Sequence, residues 1–112
     1  MTTALMTSHL ATDRLVWTYL LEGQPAGVIT GYLADGGLVV EQIMHWRGHL
    51  TEMLRVGLEE AWSQNVAHLI LMIPDQDTRR AKLAGLARRM GFTDYAHEAG
   101  AAWWVRYRPW TP

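Results

Sequence analysis

A chain of 112 residues, 49% apolar and with a net charge of −1, is sized for one domain around one core. Its near-neutral charge gives no general attraction to nucleic acid or membrane, and with no cysteine it excludes disulfides, thiolate catalysis and cysteine-ligated zinc. The opening MTTALMTSHLATDRL has no basic stretch leading into an apolar core, and no apolar run approaches the ~20 residues of a spanning helix, so a soluble, cytoplasmic protein is expected.

The charge is unevenly spread. Residues 1–77 carry Arg14, Arg47 and Arg55 against nine acids, whereas 78–112 carry seven basic groups against Asp94 and Glu98. Such a chain can either present a basic face or let its two halves attract each other across solvated faces.

Residues 1–14 are weakly patterned and read as a short helix or a loose N-terminal arm. LVWTYLLEG then favours extended structure, closed by Glu22-Gly23. After the turn GQP, the stretch Ala26 to Leu33 is β-branched and aromatic, with glycines that signal a bend or a close approach. Asp35-Gly36-Gly37 is a turn and Leu38 to Met44 a third strand, giving an antiparallel meander. Leu50, Met53, Leu54, Leu58, Ala61 and Trp62 recur at helical spacing, with Glu52, Arg55 and Glu59 on the opposite face, and this helix should end near Gln64-Asn65. HLILMIP, His68 to Pro74, is too short and too apolar for a helix and reads as a strand buried on both faces. Asp75 or Asp77 caps a second helix, Thr78 to Met90, which Gly91 ends. Phe92 to Ala96 and AAWWVRYR form a closing hairpin. The expected order is β-β-β-α-β-α-β-β: an α+β fold with a mixed, mostly antiparallel sheet and two flanking helices, spanning 1–112 as a single domain.

This order, with GVITGY, GLVVEQIMHWRGHLTEML, HLILMIP and LARRMGFTDY, resembles the GNAT superfamily of acyl-CoA-dependent N-acyltransferases over roughly residues 16–108. It looks like a short, degenerate member, similar to small domains carried by phages and prophages. The family's phosphate turn, Gln/Arg-x-x-Gly-x-Gly/Ala, aligns with His45-Trp46-Arg47-Gly48-His49-Leu50. Its physics is a glycine turn whose amides face a pyrophosphate at a helix N-terminus.

The resemblance therefore implies an acetyl-CoA or other acyl-CoA site built from Ile43, Met44, Arg47, Gly48, His49, Leu50 and Thr51. Glu41 and His45 are the base candidates, and a backbone N–H near Ile43 polarises the thioester. The sequence departs from the pattern in several places. Leu50 replaces the last glycine, Glu52 places an acid in the first helical turn, Ala87 stands where a general-acid tyrosine is common, and Arg80 where an asparagine is common. Only about a dozen residues precede Leu15, where family members place one or two helices, so the resemblance implies an open acceptor site or one completed by another subunit.

Other constellations are weaker. His45 and His49 flank Gly48, which breaks the helical spacing a metal pair needs, and no metal site is expected. Asp75-x-Asp77 directly after Pro74 reads as a cap. The basic groups of the second helix read as a solvated face, with contact of Arg79 or Arg80 to cofactor phosphates as the alternative, and nucleic acid is not an expected partner. Neither serine has a nucleophile-turn context. The alternative to an N-acyltransferase acting on a small-molecule or protein amine is an assembly module that keeps the fold without the chemistry, a homodimer through the hairpin of Trp103 and Trp104.

Overall fold

The computed structural model describes residues 4–11 (backbone only), 14–46, 50–63 and 66–107. Nine elements follow in order: β1 Ala4–Ala11, β2 Arg14–Leu21, β3 Gln24–Ala34, β4 Gly37–His45, α1 Leu50–Trp62, β5 His68–Pro74, α2 Arg80–Arg89, β6 Thr93–Glu98 and β7 Ala101–Tyr107. They build one seven-stranded sheet in the order β1-β2-β3-β4-β5-β7-β6. All its neighbours are antiparallel except β4 and β5, the pair that α1 crosses over.

The expectation of a helix or loose arm at residues 1–14 is corrected. Ala4–Ala11 pairs along its whole length with β2, from Ala4 opposite Leu21 to Ala11 opposite Arg14, so β1 is an edge strand added to the meander. The arm's thin apolar pattern is compatible with this, because an edge strand is held mainly by its one ladder of backbone bonds.

Three tight hairpins fix the register. Each turns on two residues with positive φ: Glu22-Gly23 at 53° and 80°, Asp35-Gly36 at 52° and 77°, and Ala99-Gly100 at 55° and 73°. Two successive left-handed residues match the right-handed twist of the flanking strands.

Both helices lie on one face of the sheet. Leu15, Trp17, Tyr19, Ile29, Leu38, Val40, Leu69, Leu71 and Trp104 meet Met53, Leu54 and Leu58 of α1 and Leu83, Leu86 and Ala87 of α2 in a single buried cluster. Arg106 of β7 shows the shared side directly: its guanidinium lies 5.5 Å from the Trp62 ring of α1, and its Nη1 donates to the Met90 carbonyl beyond α2 at 2.8 Å. At Gly27 of β3, an added Cβ would collide with the Met53 sulfur and lie 2.8 Å from the Met44 oxygen, so the bare backbone is what lets α1 settle on the sheet.

α2 ends as its sequence requires. Gly91 takes φ 88°, its N–H donates to the Arg88 carbonyl at 3.1 Å, and the Phe92 N–H donates to the Ala87 carbonyl at 3.0 Å, the paired bonds of a glycine C-cap with Phe92 and Ala87 both buried against the core.

The opposite face of the sheet carries no helix among the described residues. Val16, Val28, Tyr32, Ile70, Met72 and Trp103 are only half-buried there. β5 is thus fully buried on its Leu69, Leu71 and Ile73 side alone, which corrects the expectation of burial on both faces. No helix of the described residues is long and apolar enough to cross a membrane.

Candidate functional site

The site begins with one extra residue. In the β3–β4 ladder Thr30 faces Gln42 while the next residue, Gly31, faces Val40, which leaves Glu41 unmatched in a β-bulge. Gly31 accommodates the crowding, since a Cβ there would lie 2.5 Å from the Val39 oxygen. A bulge bends and twists its strand, and here it coincides with the point where β4 leaves β5. The two strands pair only at Leu38 with Leu69, Val39 with Ile70 and Val40 with Leu71. Beyond Val40, β4 runs on to His45 and β5 to Pro74 without pairing to each other.

The gap is a cleft of about 360 Å³ lined by Glu41, Gln42, Ile43, Met44, Met72, Pro74, Gln76, Asp77, Arg79 and Leu83. Met72 belongs to the uncovered side of the sheet and Leu83 to the helix-covered side, so the opening passes between the strand ends from one side toward the other. The Trp46 N–H donates to the Ala26 carbonyl of β3 at 2.8 Å, while the Ile43 carbonyl receives Nη2 of Arg79 at 2.7 Å. Strand alternation turns the Ile43 N–H to the same side as its carbonyl, away from β3 and into the cleft.

Asp77 and Arg79 form the polar rim. Asp77 Oδ1 accepts the Arg79 backbone N–H at 2.8 Å and Nε at 3.0 Å, and Oδ2 accepts Nη2 at 2.8 Å. The side-chain hydrogen bond from Arg79 holds the Asp77 carboxyl below its ordinary value, against the opposing effect of burial. This corrects the expected cap: α2 runs Arg80–Arg89, its N-cap residue is Arg79 without a side-chain cap bond, and Asp77 closes a turn just ahead of it. Asp75 instead pairs with His97 at 2.8 Å, and its carbonyl accepts from Arg80 Nη1 at 2.6 Å.

Of the residues singled out by sequence, Glu41, Ile43 and Met44 line the cleft. Glu41 forms an ion pair with Arg14. His45 ends β4 outside the cleft lining. Leu50 opens α1 with its side chain buried in the core, and Thr51 is exposed. Arg47, Gly48 and His49 lie outside the described residues. Glu52, the acid in the first turn of α1, accepts from Arg55 with both oxygens, at 2.7 and 3.3 Å. Ala87 is buried in the core, and neither it nor Arg80 is among the residues that line the cleft. Sequence reasoning did not name Gln42, Met72, Pro74, Gln76 or Leu83 as lining residues. Arg79, expected on a solvated face or, alternatively, at cofactor phosphates, directs its guanidinium back to β4.

The two tryptophans of the closing hairpin take opposite faces. Trp104 is 4% exposed and belongs to the core, with Arg88 5.4 Å above its ring, whereas Trp103 faces the uncovered side and donates its indole N–H to the Glu98 carbonyl at 3.0 Å.

No protein-family model and no curated protein sequence matches the chain. Among solved structures it is similar to an acetyltransferase from Thermus thermophilus, with TM-score 0.72 and 17% identity over 88% of this chain and 66% of that one. It is similar to the N-acetyltransferase PseH of Campylobacter jejuni, with TM-score 0.72 and 14% identity over 88% of this chain and 70% of that one. It is also similar to the aminoglycoside acetyltransferase AAC(6')-Ib in complex with ribostamycin and coenzyme A, with TM-score 0.67 and 15% identity over 86% and 65%. The chain spans about two-thirds of the length of these proteins, and identity this low speaks for architecture alone. The chain has the fold of the GNAT N-acetyltransferases, in shortened form.

Proposed function

We propose that the chain is an acyl-CoA-dependent N-acyltransferase acting on an exposed amine, with acetyl-CoA as the donor. The observation that carries this reading is the parting of β4 from β5 after Val40 and Leu71, which leaves the Ile43 backbone facing a cleft lined by Met44, Met72, Pro74 and Leu83. An arm that is mostly aliphatic and carries amides fits such a place, since its apolar atoms are covered and its amides find strand backbone as partners.

A bound acyl-CoA supplies a thioester whose carbonyl carbon takes the amine nitrogen as the carbon–sulfur bond breaks and the thiolate leaves. The chain contributes the surroundings of that exchange. The Ile43 N–H is the donor placed to polarise a carbonyl in the cleft. Glu41, on the bulge at the cleft wall, is the first candidate to accept the proton the amine loses, directly or through water, and His45 the second. Among the described residues no tyrosine, serine or threonine lines the cleft, so they provide no hydroxyl acid there. A thiolate whose conjugate acid has a pKa near ~8.5 leaves without a strong one and takes its proton from water. The pyrophosphate is assigned to the N-terminus of α1, where Leu50 and Thr51 open the helix and its dipole favours an anion, with Arg47, Gly48 and His49 as the remaining candidates from sequence.

Isothermal titration with acetyl-CoA is the test. Saturable heat supports the reading; no heat and no thermal shift at millimolar ligand removes it.

The uncovered sheet face favours a second reading, in which the domain assembles with a second copy. Half-buried Val16, Tyr32, Ile70 and Trp103 present an apolar surface of the kind that marks interfaces. Trp103→Ser should lower the sedimentation coefficient of a dimer; a wild-type protein that sediments as a monomer at high concentration eliminates this reading.

A further inference from the structure

Arg79 precedes α2 and yet bonds to β4, 36 residues earlier in the chain, with Nη2 2.7 Å from the Ile43 oxygen. It is the cleft's basic lining residue, and its contact joins the two walls. The geometry points to Arg79 as a latch that closes the cleft in the absence of donor and must swing out before an acyl-CoA arm can pair with Ile43. This inference rests on the cleft being an acyl-donor groove and concerns the regulation of that groove.

Three features make the side chain a latch rather than a fixed wall. First, it occupies the backbone acceptor that a donor amide would use. A carbonyl has two lone pairs, so one hydrogen bond alone does not bar a second donor, but a planar guanidinium lying at that oxygen blocks the approach. Second, the closed position is held by a carboxylate fork: Asp77 takes Nε at 3.0 Å and Nη2 at 2.8 Å. With its charge matched by Asp77, Arg79 offers an incoming phosphate no unpaired cation, which argues against phosphate binding in this position. Third, the side chain is 32% exposed. It can turn into water without opening the core, and long surface side chains do so on a nanosecond scale.

A site that is competent only part of the time binds with an apparent affinity lowered by that fraction. A latch closed nine-tenths of the time weakens donor binding about tenfold. Arg79→Met keeps the unbranched apolar stem as far as the position of Nε and removes the fork. Arg79→Lys keeps the charge but cannot hold Asp77 and Ile43 together in the same plane. Asp77→Asn keeps an oxygen for the Arg79 backbone N–H while loosening the closed position.

The experiment is calorimetric titration of acetyl-CoA into wild type and these three variants, each first checked for a cooperative thermal transition. The expected result is a Kd roughly three- to tenfold lower for Arg79→Met and Arg79→Lys, and a smaller gain for Asp77→Asn. Should Arg79→Met not fold, the other two variants carry the same comparison. Equal affinities for wild type and variants overturn the latch while leaving the acyl-donor reading in place. Weaker binding by Arg79→Met overturns it in favour of a direct contact with the donor. No binding by any of the proteins overturns both.

Discussion

The Glu41 carboxylate, at the bulge of β4, forms an ion pair with Arg14, the first residue of β2. The same guanidinium lies 5.4 Å from the centroid of the Tyr32 ring on the strand between them. One arginine thus orients the carboxylate on the cleft wall from two strands away, and the bulge that frees Glu41 from the β3 ladder also turns β4 away from β5.

If Glu41 accepts the amine proton, Glu41→Gln should lower kcat by about 10²- to 10⁴-fold, the usual share of a general base. The KM for acetyl-CoA should hardly change, because the substitution leaves the cleft's shape and its backbone groups intact. Steady-state kinetics with a generic primary amine checks this. A loss of less than about threefold would move the role to His45 or to solvent.

The acid stability of the fold should depend on Asp77. Its carboxyl is held below the ordinary value of 3.8, first by the Arg79 hydrogen bond. A carboxyl with a lowered folded-state pKa contributes stability that is complete above the unfolded value and is lost as pH falls through the folded one. The contribution should therefore be intact at pH 5 and fade below 3.8. Thermal melts of wild type and Asp77→Asn between pH 6 and pH 2 should show a gap in Tm that narrows only in that acid window.

Ala99 holds φ at 55° ahead of Gly100, a left-handed position that costs a residue with a Cβ about 1 kcal/mol. Asn-Gly is the favoured pair for such a turn, so Ala99→Asn should stabilise the protein by roughly 0.5–1 kcal/mol, read from urea unfolding with an unchanged m-value.

Gly27→Ala should act in the opposite direction. The new methyl meets the Met53 sulfur, which can move, and the Met44 carbonyl at 2.8 Å, which is backbone and cannot. A loss of about 1–3 kcal/mol is expected from overpacking, with a loosened β3–α1 contact visible as faster amide exchange in α1.

Much of this architecture was legible in the residues. HLILMIP could be little else than a strand, and the bounds His68–Pro74 are those observed. Leu50, Met53, Leu54, Leu58 and Ala61 announce the buried face of α1, and all five are buried. β1 escaped because the composition of Ala4–Ala11 is mixed and an edge strand is specified mostly by its neighbour's backbone. The placement of the tryptophans was within reach: adjacent residues of a strand point to opposite faces, so Trp103 and Trp104 had to part. The cleft itself was less accessible. It depends on where a parallel ladder stops, which no local pattern marks, and on an unmatched residue in a different ladder, for which Gly31, a glycine signalling a bend or close approach, was the local sign. The Arg79–Ile43 contact is non-local in the same way.

The most direct test of the central claim is a backbone amide NMR titration with acetyl-CoA. An acyl-donor groove between β4 and β5 gives saturable shifts at Ile43 and Met44 on β4 and at Met72 on β5, together with broadening or movement of the Arg79 side-chain signals. Unchanged spectra at millimolar donor, or shifts confined to residues away from the split between β4 and β5, would contradict it.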